Sequence, residues 1–299
     1  MRREAIDRVR SFNRAVTLRV GALNDSYLGR GRPLGQARVL FEIEPDGSDM
    51  RALRERLGLD SGYFSRILKS LERQGLVTIE TEPGDRRRRR VVPTRKGRGE
   101  QAAYDALSDD LARSLLEPLN PAQRERLVAA MAEVETLMNA AAVTIAAEPA
   151  DCEAARFCLE AYFCELANRF ETGFDPTKGS SAPDDAALSP PHGCFLIARL
   201  HGEPIGCGGL RTLEPAIGEI KRMWVAPHAR GLGVAKRLLG ALEERARAMG
   251  MRLVRLDTNR VLTQAQAMYR MAGYREIERF NDNPYADFWF EKELGGNDN

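Results

Sequence analysis

Residues 219–250, EIKRMWVAPHARGLGVAKRLLGALEERARAMG, decide how the second half of this chain is read. Ile220, Met223 and Val225 stand in an apolar run with β-formers and predict a buried strand, which Pro227 ends. From Arg230-Gly231-Leu232-Gly233-Val234-Ala235 onward, apolar residues recur at helical spacing: Leu232, Ala235, Leu238, Leu239, Leu242, Ala246 and Met249, with Gly250 as the stop. Strand, glycine-bearing loop and amphipathic helix bring backbone N–H groups and a helix N-terminus to where a phosphate can sit. Glycine has no Cβ and lets the backbone come close. A strand–turn–helix joint of this kind also forms with no ligand at all, so its surroundings carry the decision.

Working outward, strands are predicted at 143–145, 194–200, 204–211, 253–257, 274–278 and 286–293, with helices at 151–170 and 263–272. The polar segment KGSSAPDDAALSPP, 178–191, predicts a mobile loop beside a site. The loop at 230–235 resembles the acyl-CoA pyrophosphate loop of the GCN5-related N-acetyltransferases (the GNAT family), with Arg230, Gly233 and Ala235 on its Gln/Arg-x-x-Gly-x-Gly/Ala pattern. The order of elements over about 143–294 is also the one such domains show. The resemblance implies an α/β GNAT fold with a mixed central sheet over 143–299, acetyl-CoA as cosubstrate, and transfer of its acetyl group to an amine.

Site roles follow from the same resemblance. Backbone N–H groups of Gly231, Leu232, Gly233, Val234 and Ala235 would hold the pyrophosphate beside Arg230, and Asn259 would brace the CoA. Backbone at Met223 and Val225 would meet the carbonyl oxygen. Tyr269, ahead of Gly273-Tyr274, would give a proton to the departing thiolate, and Glu219 would act as base through water. A packing tyrosine, and a Glu219 paired with Lys221 or Arg222, stay open as alternatives. Phe280-Asn281-Asp282-Asn283-Pro284-Tyr285 is a polar turn that predicts an acceptor rim through Asn283 and Tyr285. Arg222 and Arg211 are suited to a carboxylate, although pairing with Glu214 or Glu276 explains them equally.

The first half reads differently. Val9, Phe12, Val16, Val20 and Leu23 predict an amphipathic helix over 8–23, and a short second one covers 34–43. Ser48-Asp49 predicts a cap before Met50, Leu53 and Leu57, and Gly58 ends that helix. Asp60 or Ser61 caps the next, with Phe64, Ile67, Leu68 and Leu71 on its buried face. Its outer face then carries Ser61, Tyr63, Ser65, Arg66 and Lys69, a helix-turn-helix signature. Residues 76–81 and 89–94 predict a hairpin whose tip holds Asp85 and the run Arg86 to Arg90. So many arginines are costly to pack against protein, which leaves a solvated run or a wing that contacts phosphates and a narrow minor groove.

Gly84-Asp85-Arg86-Arg87 behind that helix, closed by Thr94-Arg95-Lys96-Gly97, resembles the MarR family of winged-helix regulators. The resemblance covers residues 1–142 and implies a mostly α winged helix-turn-helix that binds double-stranded DNA through the outer helix face and through Asp85, Arg86, Arg87 and Arg88. Long helical patterns at 96–117 and 121–142 carry more apolar residues than a small winged helix covers, which fits a homodimer; packing against the second domain is the alternative.

Composition bounds these readings. The chain has 299 residues and a net charge of +2, but residues 1–100 carry +9 and residues 101–299 carry −7. A basic half joined to an acidic half predicts that only the first meets a polyanion. Five scattered cysteines with no CxxC pair, and three histidines, predict neither a metal site nor a disulfide framework. The absence of a long apolar run or a signal-peptide core predicts a cytoplasmic protein that makes no membrane contact. The readings compared are a bifunctional regulator and N-acetyltransferase, a regulator whose acetyltransferase fold only senses acetyl-CoA or another ligand, and an enzyme that uses the winged helix as a dimer scaffold.

Overall fold

The computed structural model describes residues 2–82, 85–171, 173–178 and 185–295, without the side chains of 82–88. It forms two compact units, Met1–Met131 and Ala132–Asn299.

In the first unit α1 is Arg3–Arg19, α2 Leu34–Phe41, β1 Ser48–Asp49, α3 Met50–Arg56, α4 Ser61–Arg73, β2 Val77–Glu82, β3 Asp85–Pro93 and α5 Arg95–Leu116. The Asp49 carboxylate caps α3 by accepting from the N–H groups of Arg51 and Ala52, and Asp60 caps α4 by accepting from Tyr63 N–H. Gly58 sits between them with φ +61°, where a side chain would be strained. Phe64, Ile67, Leu68 and Leu71 are buried against Leu40, Leu53 and Leu76, as their spacing predicts. Ser48–Asp49, expected only as a cap, also pairs with β3, giving a three-stranded sheet of order β1-β3-β2. Helix α1 begins earlier than the apolar spacing predicts, at Arg3, and also ends earlier, before Gly21 turns the chain at φ +66°. Val9, Phe12 and Val16 on α1 are exposed.

Helix α6, Pro121–Ala142, leads into β4, Thr144–Glu148. Then follow α7 (Glu153–Arg169), β5 (Gly193–Leu200), β6 (Glu203–Glu214), β7 (Ile217–Val225), α8 (Val234–Ala248), β8 (Leu253–Thr258), α9 (Thr263–Met271), β9 (Arg275–Ile277) and β10 (Phe288–Glu293). They build a mixed sheet of order β4-β5-β6-β7-β8-β10-β9, antiparallel except between β7 and β8. Helix α8 buries Leu238, Leu239, Leu242 and Ala246. Each such leucine contributes about 1.5–3 kcal/mol.

Two irregularities open the sheet. Strands β7 and β8 pair only at Ile217–Leu253, Gly218–Val254 and Glu219–Arg255. Beyond that, β7 keeps its bonds to β6 while Leu256, Asp257 and Thr258 pair with β10, so the parallel strands part. On its other side β7 bulges. Cys207 faces Trp224 and Gly209 faces Lys221, which leaves Arg222 and Met223 opposite Gly208 alone. Arg222 takes a left-handed φ of +56°, rare for a side-chain-bearing residue. A Cβ at Gly208 would come within 2.7 Å of Met223 Sδ, so glycine makes room for the bulge.

Candidate functional site

The gap between the parted strands is a pocket open to solvent. Arg222 and Met223 from β7, Asp257 from β8 and Tyr269 from α9 line it. A second cavity, also open to solvent, lies beside it and reaches Val225, Arg230 and Ala235. Tyr162, Leu166, Met223 and Tyr269 line both, so the two spaces meet at these side chains.

The loop into α8 turns on two left-handed glycines. Gly231 and Gly233 have φ +86° and +74°, and no side chain caps the helix. Among the described residues, the backbone N–H groups of Gly231, Leu232, Gly233, Val234, Ala235 and Lys236 donate to nothing. A run of unpaired donors at a helix start is where an anion binds. Arg230 is already engaged: its Nη2 donates to both carboxylate oxygens of Glu165, at 2.6 and 2.7 Å, and its Nε donates to the Val225 carbonyl at 3.2 Å. Glu165 also accepts from Trp224 Nε1 at 3.0 Å.

Tyr269 is buried, 5% exposed, and its hydroxyl makes no hydrogen bond among the described residues. Burial, and after it the nearby Asp257 carboxylate, hold its acidity far below that of a free phenol. Tyr162 is shifted the same way, again chiefly by burial. At neutral pH both are therefore neutral O–H groups.

Asp257 was expected only as part of a strand. Its carboxyl is pushed above the usual carboxylate range, because burial disfavours the charge. Lys221 and the amides of Asn281 and Asn283, which donate to its oxygens at 2.6 Å each, oppose that shift. Glu219 is wholly buried and lines neither cavity. Arg211 Nε donates to it at 2.6 Å, Lys221 Nζ at 3.2 Å and Asn281 Nδ2 at 3.0 Å. A carboxylate so enclosed by cations and an amide holds β6, β7 and the 281–287 turn together.

The structure thus brings Met223, Arg222, Asn259, Tyr269, Asn283 and Tyr285 to one cavity and Val225, Arg230, Ala235 and Tyr269 to the other. Asn259 spends its amide on the Tyr285 carbonyl at 2.6 Å and accepts from Val261 N–H, which closes the turn after β8. Sequence reasoning missed Tyr162, Glu165 and Asp257. The signal for Asp257 was a lone acid in the strand pattern Leu253-Val254-Arg255-Leu256-Asp257; Tyr162 and Glu165 lie one turn apart on α7.

In the other unit, Ser61, Tyr63, Ser65, Arg66 and Lys69 are all exposed along one side of α4. The Arg66 guanidinium lies 5.9 Å from the Tyr63 ring centre. Arg90 is tied back, its Nη2 donating to the carbonyls of Asp46 and Gly47 at 2.9 and 3.0 Å. The side chains of Asp85, Arg86, Arg87 and Arg88 lie outside the described residues, as do residues 179–184 of the polar loop. No helix among the described residues is long and apolar enough to cross a membrane.

A helix-turn-helix with a β-hairpin precedes a split mixed sheet with a glycine loop at a helix start, the folds of a MarR-like domain and of a GNAT domain. A model of the acetyltransferase (GNAT) family matches residues 160–274, and one of the MarR family matches 30–88. The IAA acetyltransferase of Azospirillum brasilense is 34% identical over 123 residues, 41% of this chain and 79% of that protein. An uncharacterized N-acetyltransferase of Escherichia coli, YjgM, is 32% identical over 36% of this chain and 70% of its own length. A MarR-family transcriptional regulator from Rhodococcus aligns with 44% of this chain and 93% of its own, at 20% identity and a TM-score of 0.37. The chain belongs to the GNAT acetyltransferases, and ahead of that domain residues 30–88 match the MarR-family model.

Proposed function

We propose that this chain is a bifunctional DNA-binding regulator and acetyl-CoA-dependent N-acetyltransferase, with residues 1–142 binding DNA as a homodimer and residues 143–299 carrying the transfer. The observation that supports the catalytic half most directly is the position of Tyr269, at the meeting of the anion-ready cavity and the cavity between the parted strands. When bound, acetyl-CoA supplies an acetyl group activated as a thioester. N–H groups of Leu232 to Ala235, six unpaired donors counting their neighbours, fit its pyrophosphate, and Arg230 adds charge there. Backbone at Met223 and Val225 faces the carbonyl, and Asn259 holds the wall in place.

Asp257 is the better proton acceptor for the amine, since burial lifts its basicity and it lines the cavity. Glu219 is assigned to positioning. Tyr269, kept neutral, gives its proton to the departing sulfur. Arg222, Asn283 and Tyr285 face the acceptor. On the DNA side, the exposed face of α4 would enter the major groove, and the wing would add Asp85, Arg86, Arg87 and Arg88. Val9 and Phe12 on α1, with Val128, Met131, Leu137 and Met138 on α6, expose apolar surface that a dimer would cover.

The test is CoA release from acetyl-CoA by the purified full chain with a broad panel of amines, beside calorimetry of acetyl-CoA binding. Thiol release that depends on the amine is the expected result. Tight binding with no turnover on any amine would turn the domain into a sensor of acetyl-CoA.

A further inference from the structure

The cavity between the parted strands has an aromatic wall of which only Phe163 packs against the core. Phe163, Phe170, Phe174 and Tyr285 line it. Their rings touch in sequence: Phe163–Phe174 centres are 5.6 Å apart, Phe174–Tyr285 4.8 Å and Phe170–Tyr285 5.8 Å. Phe170, Phe174 and Tyr285 are only half-buried and stand outside the main core cluster. The wall is also held in place. Tyr285 accepts from Asp175 N–H through its hydroxyl at 2.8 Å and gives its carbonyl to Asn259, which fixes the ring between two loops.

The rest of the cavity is charged, and with both signs. Asp257 lies on one strand; Lys221 and Arg222 lie on the other. Lys221 is matched by Glu219 at 3.2 Å. Arg222 is only 9% exposed and, among its partners, meets Asp185 at 3.6 Å, an acid itself half exposed to solvent. Its guanidinium lines the cavity, and its planar fork of donors is suited to a bound carboxylate.

We propose that the amine acceptor is an aromatic α-amino acid, with its ring against Phe163, Phe170, Phe174 and Tyr285, its carboxylate at Arg222, and its amine between Asp257 and Tyr269. This rests on the acetyltransferase reading and specifies its substrate class. Offset and edge contacts among rings favour an arene over an aliphatic chain of equal size. Polyamines and aminoglycosides lack an aromatic ring and add positive charge beside Lys221 and Arg222. The chemistry balances: the ammonium gives one proton to Asp257 and thence to water. The N–C bond then forms as the C–S bond breaks, and the second amine proton reaches the departing sulfur through the Tyr269 hydroxyl. The products are the N-acetyl amino acid and CoA thiol.

The experiment measures initial CoA release by the full chain with L-phenylalanine, L-tyrosine and L-tryptophan. These are set against L-alanine, L-leucine, phenethylamine, spermidine, kanamycin and a lysine peptide. The aromatic amino acids should exceed alanine and leucine in kcat/KM by roughly a hundredfold, and phenethylamine by about tenfold. Arg222→Gln should shrink the phenylalanine-to-phenethylamine ratio by about tenfold. A ratio reports selectivity within one preparation, so general damage to the fold leaves it unmoved. Equal or faster turnover of a non-aromatic amine would overturn the substrate class while leaving the acetyltransferase standing, as would a ratio that Arg222→Gln does not change. Should no amine release CoA, calorimetry of L-phenylalanine against the CoA-saturated chain decides. Binding that Phe174→Ala abolishes would keep the pocket assignment and remove catalysis, and no binding would remove both.

Discussion

Arg230 Nη2 donates to both oxygens of the Glu165 carboxylate, at 2.6 and 2.7 Å, directly beside a helix start whose N–H groups have no partner among the described residues. A phosphate arriving there meets an arginine already occupied and an acid of like sign. Glu165→Gln removes the charge, keeps an acceptor for Trp224, and frees the guanidinium. The dissociation constant of acetyl-CoA by calorimetry should fall about three- to tenfold. A weaker complex instead would make Glu165 the brace that aims Arg230.

Tyr269 is buried, but its hydroxyl has no partner among the described residues, so Tyr269→Phe should leave stability nearly unchanged. If the phenol protonates the departing sulfur, kcat should drop by roughly 10²-fold with little change in acetyl-CoA affinity. Rates equal to wild type would return Tyr269 to packing.

Acid dependence should come from Asp257. Burial raises its carboxyl above the ordinary value of about 3.9. The ionised form accepts the proton, so kcat/KM should rise with pH along a limb placed above that value. Asp257→Asn should lower the plateau and remove the limb. A limb that survives the substitution belongs to another group.

Why these residues escaped a reading of the sequence is physical. Helical spacing and caps reported α4 and α8 well, because Phe64, Ile67, Leu68 and Leu71, or Leu238, Leu239 and Leu242, bury one face each. The glycine loop was legible for the same reason: Gly231 and Gly233 adopt conformations that other residues avoid. Asp257 and Glu219 are both acids in strands, and nothing local distinguishes them. What separates their roles is where β7 and β8 part, two residues past Glu219 and at Asp257, and that depends on the register of a long-range pair. The bulge that turns Arg222 left-handed is likewise set by its partner Gly208 across the sheet.

One ion pair makes a stability prediction with a definite sign. Arg199 donates to Glu148 through Nε at 2.9 Å and Nη2 at 2.8 Å, tying β4 to β5. That hydrogen bonding holds the Glu148 carboxyl below its usual value, against the opposing effect of burial. A lowered folded-state value means the stabilisation is present above the unfolded pKa, about 4.3, and is lost as pH falls through the folded one. Glu148→Gln should therefore cost about 1 kcal/mol in urea unfolding at pH 7 and nearly nothing at strongly acid pH. A cost independent of pH would mean shape, not charge, matters there.

The DNA-facing prediction rests on charge placement. The face of α4 is exposed and carries Arg66 and Lys69, while Arg90 at the base of the wing is already bound to the carbonyls of Asp46 and Gly47. Phosphate contacts from the wing must then come from arginines nearer its tip. Each phosphate neutralised contributes close to one unit to the slope of log affinity against log salt. Arg86→Ala with Arg87→Ala should weaken binding to duplex DNA about uniformly across sequences and flatten that slope by about two. Substituting Arg66 should instead change which sequences bind, since on the proposed reading α4 would be the element that reaches base edges. If the slope is unchanged in a titration from low to moderate salt, the arginine run is a solvated surface, and α4 alone would carry the contact.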